Sequence, residues 1–207
     1  MHLVPLRSIF SFEMNRSTSC AKNIELHNQY LESILNLGKI ESIARFGVWC
    51  CIGLANDESV FRFLAKRAGS ASENIKERVG DYFDQVWNEK ENSNQLIDLE
   101  LVDWDPDAIE MDDEAAAQGA TDLLAGLSFL AKWCAEHKVE RLVACAEVLI
   151  NRIDYLESFD LIGGHVANPV DHEMNVQKDF ARELVAGTLT DHDKMKYHEW
   201  LFNLGTP

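Results

Sequence analysis

Apolar residues recur at helical spacing along almost the whole chain. Ile24, Leu31, Ile34 and Leu35 form one stripe, closed by Gly38, a residue suited to the position just after a helix. The next segment, IESIARFGVWCCIGLA, has only Glu41, Ser42 and Arg45 to offer water. It predicts a central helix buried on most sides. Asp57 is placed to cap a third helix, ESVFRFLAKRAG, which Gly69 stops. Ile75, Val79, Tyr82, Phe83, Val86 and Trp87 make the clearest amphipathic stripe, with Ser70 and Ser72 before it as caps.

Further on, QLIDLELVDW fits a short helix through Leu96, Ile97, Leu101 and Val102, or a strand through Ile97, Leu99 and Leu101. Helix is preferred, since no partner strand is evident. Ala120, Leu123, Leu124, Leu127, Leu130, Ala131 and Cys134 give a long helix, and Val139, Leu142, Val143, Ala146, Leu149, Ile150, Ile153 and Leu156 another. The joint EHKVE is short, which argues for a central antiparallel helical hairpin. LIGGHVANP reads as a loop before a helix through Met174, Phe180, Leu184 and Val185 to Gly187, and Thr190 or Asp191 opens a last helix to Gly205. The expectation is a single compact all-α domain of about eight or nine helices over residues 23–207. Residues 1–22 are expected to be a poorly structured extension, with Met14 a candidate start because the periodic pattern begins only near Asn23.

A chain of 207 residues with 46% apolar composition needs no staple, since it can bury roughly 70% of the surface its unfolded form exposes. Five cysteines is an odd number, and Cys50 and Cys51 are adjacent. Reduced thiols and a cytoplasmic home follow. The N-terminal stretch lacks a cationic leader and is interrupted by Pro5 and Arg7, unlike a signal peptide. No apolar run approaches the roughly 20 residues of a membrane span, so no membrane partner is expected.

The net charge of −16 argues against direct nucleic-acid binding through a basic surface. Its distribution says more. From Glu91 to Ala131 there is no Lys, Arg or His, against eleven carboxylates. Inside that segment, DWDPDAIEMDDE sets Asp103, Asp105, Asp107 and Glu114 at the offsets of a calcium loop. The sixth position, however, must turn with positive φ, and Ala108 there costs roughly 1–2 kcal/mol. Pro106 and Glu110 are further departures.

Helix starts explain part of the cluster: Asp105 before Pro106, and Asp112 or Asp113 before the alanines. The helix dipole rewards only acids of the first turn, so three or four of the seven remain, repelling one another at about 1 kcal/mol per close pair in water. A solvated face accounts for most such runs. The sharper reading is a contact surface for a basic protein, formed by Asp103, Asp105, Asp107, Glu110, Asp112, Asp113 and Glu114.

Catalytic signals are sparse. None of the seven histidines stands in a Glu-x-x-His or His-Glu-x-x-His spacing, and no metal or other cofactor is expected. A site assembled from His165, His172 and His192 is the alternative, weighed against histidines that simply sit near helix ends. Cys134 and Cys145 fall on apolar stripes, where a thiol is inert, and Trp49, Trp87 and Trp133 read as core.

Several blocks also stand in a familiar order: WCCIGLANDESVFRFLAKRAG, an acidic break, AAAQGATDLLAGLSFLAKW, VERLVACAEVLINRIDYLES and NPVDHEMNVQKDF. Together they resemble the bacterial YjaG-like family, a domain of unknown function (DUF four-sixteen), over residues 45–186. The most specific pieces are Ala120-x-Asp122 and the Asn168-Pro169 turn leading to Glu173-Met174-Asn175-Val176-Gln177. The resemblance implies a compact helical domain and no particular activity. The expected function is non-catalytic binding through the acidic surface, in its most concrete form an immunity- or antitoxin-like inhibitor of a basic partner. The alternatives are an enzyme or metal-binding protein with a site near His165, His172 and His192, and a helical homodimer.

Overall fold

Helix α2 (Ile40–Leu54) turns buried side chains in nearly every direction, among them Phe46, Val48, Trp49, Cys50 and Cys51, all fully enclosed. A helix apolar all round has to be surrounded. The computed structural model describes residues 7–88, 114–162, 166–190 and 192–202, with side chains from residue 21 onward except that of Phe202. Around α2 it places α4 (Ser72–Trp87), α5 (Glu114–Glu136), α6 (Val139–Ser158) and α7 (Pro169–Ala186). Helix α1 (Arg7–Leu35) covers α6 and α7, and α3 (Glu58–Ala68) lies on α4 and α5. The fold is all-helical, with eight α-helices and no strand among the described residues. Of these, none is long and apolar enough to cross a membrane.

The local signals act as the residues suggest. Asp57 caps α3 by accepting from the Ser59 amide at 2.8 Å, and Gly69 ends it in the left-handed region at φ 60. Gly187 ends α7 at φ 70, and the Thr188 amide reaches back to the Glu183 carbonyl at 3.1 Å. Neither serine caps α4: its cap is Ala71, and the Ser72 hydroxyl donates instead to Glu73. His137, at φ 52, and Lys138 join α5 to α6, the pair of helices that pack most extensively. Helical backbone extends through residues 7–22, and the first fully buried side chain described is His27. The ambiguous segment 95–104 lies outside the described residues.

The expected last helix is broken. Residues 193–195 form a single 3-10 turn, Tyr197 takes φ 72, and α8 (Glu199–Phe202) follows as one turn. The interruption has a cause in α2. The Trp49 indole donates to the Lys196 carbonyl at 2.8 Å, and the His198 ring, stacked on Trp49 at 4.2 Å, donates from Nε2 to the Trp49 carbonyl at 2.8 Å. Glu183 of α7 accepts from the Lys196 ammonium at 2.5 Å and the Tyr197 hydroxyl at 2.7 Å, while Lys194 pairs with Asp84 of α4. A continuous helix would satisfy its own backbone and forfeit these bonds. A left-handed tyrosine costs on the order of 1–3 kcal/mol, which several charge-assisted and buried hydrogen bonds exceed.

Close approach to α2 requires glycine at two places. A Cβ at Gly47 would stand 2.7 Å from Leu142 and 2.9 Å from Leu130, both fully buried, and one at Gly126 would stand 2.7 Å from Leu54. Gly80 of α4, by contrast, has open space around its Cβ position. The same substitution should therefore act with opposite sign. Gly80→Ala is expected to raise the unfolding free energy by about 0.5–1 kcal/mol through helix propensity. Gly47→Ala is expected to lower it by about 1–2 kcal/mol, overpacking outweighing that gain. Urea titrations of the two variants check this, and equal effects at both sites would refute the enclosed position of α2.

Candidate functional site

Helix α7 opens at Asn168, at φ 53, with Pro169 in its first turn, and turns Val170, Glu173, Gln177, Phe180 and Leu184 inward at alternating steps of three and four. Two polar side chains thus lie on the apolar face, and both are completely buried. The Gln177 amide nitrogen donates to the Ala146 carbonyl of α6 at 3.2 Å and to Glu173 Oε1 at 3.0 Å. Its oxygen faces His27 Nε2 of α1 at 2.8 Å. Because a backbone carbonyl only accepts, the amide orientation is set, and with it the histidine tautomer. Neutral His27 carries its hydrogen on Nε2, leaving Nδ1 as a bare acceptor.

Burial decides the protonation of this chain of groups. It pushes the Glu173 carboxyl up to about 7, against the Gln177 hydrogen bond, which favours the charged form. Oε2, without a partner among the described residues, is left to hold the proton. Burial pushes His27 down to about 4, opposed by its bond to Gln177 and reinforced by the nearby Lys178 charge. His198 is likewise held down to about 4 by burial. A carboxyl titrating near neutrality suits acid–base work, yet no solvent reaches Glu173. Glu173 and Gln177 tie three helices together, and only His27 adjoins open space, in a groove between α1 and α7.

A second buried polar group sits at the far side of α6. Arg152, almost fully enclosed, donates to the Ala115 carbonyl in the first turn of α5 at 3.1 Å and stands 3.5 Å from Asp57. Asp122 accepts from Gln118 at 2.9 Å, and burial raises its carboxyl against the pull of Gln118 and Arg152. Burial also lowers Arg152, with Asp122 and Asp57 opposing. A guanidinium stays charged under such shifts, so the attraction to both carboxylates persists. Gly119 leaves the room this needs, since a Cβ there would stand 2.8 Å from Arg152 Nη2.

The acidic residues expected to form a contact surface fall mostly beyond view: Asp103, Asp105, Asp107, Glu110, Asp112 and Asp113 lie outside the described residues. Glu114 is exposed at the first position of α5. Asp122, one of the eleven carboxylates of the segment, is turned inward and belongs to the core. Both roots of the connection are held by arginines. Arg152 grips Ala115 downstream, and Arg45 donates to the Trp87 carbonyl at 3.1 Å upstream, with its guanidinium 5.3 Å from the Trp87 ring.

Of the alternative histidines, His165 lies outside the described residues, His172 meets Trp200 edge-on at 5.0 Å, and His192 is exposed before the 3-10 turn. Among the described residues no three His, Cys, Asp or Glu stand together as a metal requires. Cys50, Cys51, Cys134 and Cys145 are buried and stand in no disulfide; burial raises Cys50, and a hydrogen bond with Cys145 together with burial raises Cys51, both well above the ordinary thiol range. No protein-family model, curated protein or solved structure matches the chain.

The two buried titrations have opposite signs. Glu173, raised in the folded state, adds stability that is fully present below about pH 4.5 and is lost as pH rises through 7. His27 and His198, depressed, add stability that is present above about pH 6.5 and is lost as pH falls through 4. Relative to the parent protein, Glu173→Gln should gain about 3 kcal/mol between pH 4.5 and pH 8. Urea titrations across that range measure it, and parallel curves for parent and variant would refute the buried carboxyl.

Proposed function

We propose that the protein is a non-catalytic binding protein of the cytoplasm that presents the connection between α4 and α5 to a basic partner protein, as an immunity or antitoxin protein does, and that it is a member of the YjaG-like family. The observation that carries this reading is the charge of residues 91–113. Nine carboxylates stand there with no Lys, Arg or His among them. Their mutual repulsion, about 1 kcal/mol per close pair in water, is relieved when cations approach. The same field accelerates the encounter with a basic surface.

The described body supports the reading by what it does with its own charge. Asp122 is withdrawn into the core, and Arg45 and Arg152 fix the two ends of the connection, so the acidic stretch begins and ends at defined places. The family reading draws support from the interior. Asp122, Glu173 and Gln177, three of the six buried polar side chains among the described residues, lie in the two motifs that carry the resemblance. The cytoplasmic reading rests on four buried thiols that stand in no disulfide.

The test is the combined variant Asp103→Asn, Asp105→Asn, Asp107→Asn and Glu110→Gln, compared with the parent for binding to any basic protein that the parent captures from lysate at low salt. The account expects an association rate at least about tenfold slower, a flatter dependence on ionic strength, and an unchanged melting temperature. Retention of the partner with unaltered rate and salt dependence would reject the acidic connection as the contact.

A further inference from the structure

We propose that the apolar groove between α2, α3 and α4 is the docking site of the chain's own segment 95–104. The groove holds about 340 Å³. Ile52 and Ala55 from the end of α2, Phe61 of α3, Val79 and Phe83 of α4 and Met195 of the 3-10 turn line it. Its two charged lining residues, Glu58 and Lys76, pair with each other, and the Lys76 ammonium stands over the Phe61 ring at 5.8 Å. The groove therefore carries no surplus charge, and what it offers an occupant is apolar surface to cover.

Both ends of the 89–113 connection adjoin this groove. Upstream, Phe83 stands one turn before Trp87, the last residue of α4. Downstream, the Ala115 carbonyl is bonded to Arg152 at 3.1 Å, and Arg152 stands 3.5 Å from Asp57. The two neighbours of Asp57 in the chain, Asn56 and Glu58, both line the groove. The connection thus leaves beside one wall and returns beside another. Its 25 residues reach about 80 Å when extended, whereas the groove from Lys76 to Phe83 runs only about 10 Å along α4. Length leaves ample chain for one stretch to lie in the groove.

The stretch is identified by its composition. In QLIDLELVDW six of ten residues are apolar: Leu96, Ile97, Leu99, Leu101, Val102 and Trp104. The remainder of the connection is dominated by carboxylates, which a neutral apolar groove does not attract. A segment tethered at both ends meets the groove at an effective concentration of roughly millimolar, which favours it over the same segment of a second copy. This inference does not rest on a basic partner, and its test contains none.

That test uses the full chain with ¹³C-labelled methyl groups of Ile, Leu, Val and Met. Nuclear Overhauser contacts are expected between methyls of residues 96–102 and those of Ile52, Val79 or Met195, and a mixture of two differently labelled samples should show that they arise within one chain. Gly80→Leu fills the groove at a lining position where an added Cβ meets open space. It should remove those contacts and speed chymotrypsin cleavage after Leu99 or Trp104 at least about tenfold, with an unchanged circular-dichroism spectrum. The double variant Ile97→Asn, Leu101→Asn should do the same without touching the described body. Absence of the contacts in the parent, contacts that arise only between chains, or unaltered cleavage in the double variant would each overturn the proposal.

Discussion

Everything in this structure is arranged around the enclosure of α2. Its sequence leaves almost nothing for water, and a helix of that kind is stable only when neighbours cover each side. Four helices and the strap of residues 193–198 do so, and the fit is close enough that Gly47 and Gly126 have no room for a methyl group. Trp49 is the clearest product of this constraint. It stacks between Phe180 and His198, and its indole and carbonyl both bond to the strap. Truncating such a side chain typically costs about 3–5 kcal/mol, a large share of a domain's stability.

Polar groups inside the core are tolerated because they are joined across helices. Gln177 makes hydrogen bonds to α1, α6 and its own helix, and Arg152 links α6 to the start of α5 and the cap of α3. A network of this kind is stabilising only while complete, since each partner removed leaves another group buried and unsatisfied. Among the described residues nine buried side-chain atoms lack a partner; two of them, His27 Nδ1 and Glu173 Oε2, belong to the Gln177 cluster, and Asp122 Oδ2 stands beside Arg152.

Much of this was legible in the residues. The stripes of α2 to α7, the Asp57 cap, the Gly69 stop and the tryptophans of the core follow from spacing and local chemistry. The buried polar residues were not identified, although a signal existed. His27 lies in phase with Ile24, Leu31 and Leu35, and Glu173 and Gln177 lie in phase with Val170, Phe180 and Leu184. Reading polar residues as outward by type overrode the phase of the helix. The broken C-terminal helix had no such signal, because it depends on bonds to Trp49 and Glu183 that only the tertiary fold supplies. The acidic connection was legible as charge, and charge says that cations will be attracted without saying where each carboxylate sits.

The described body thus serves as a frame, held by α2, from which the acidic connection leaves at Trp87 and to which it returns at Glu114. That division rests on α2 being the last element to open. Native-state hydrogen exchange measures it directly. The account predicts that the amides of Phe46 to Leu54 exchange only through global unfolding, with opening free energies equal to the stability from urea titration. Exchange of those amides through a smaller opening, while amides of α1 and α7 stay protected, would contradict it.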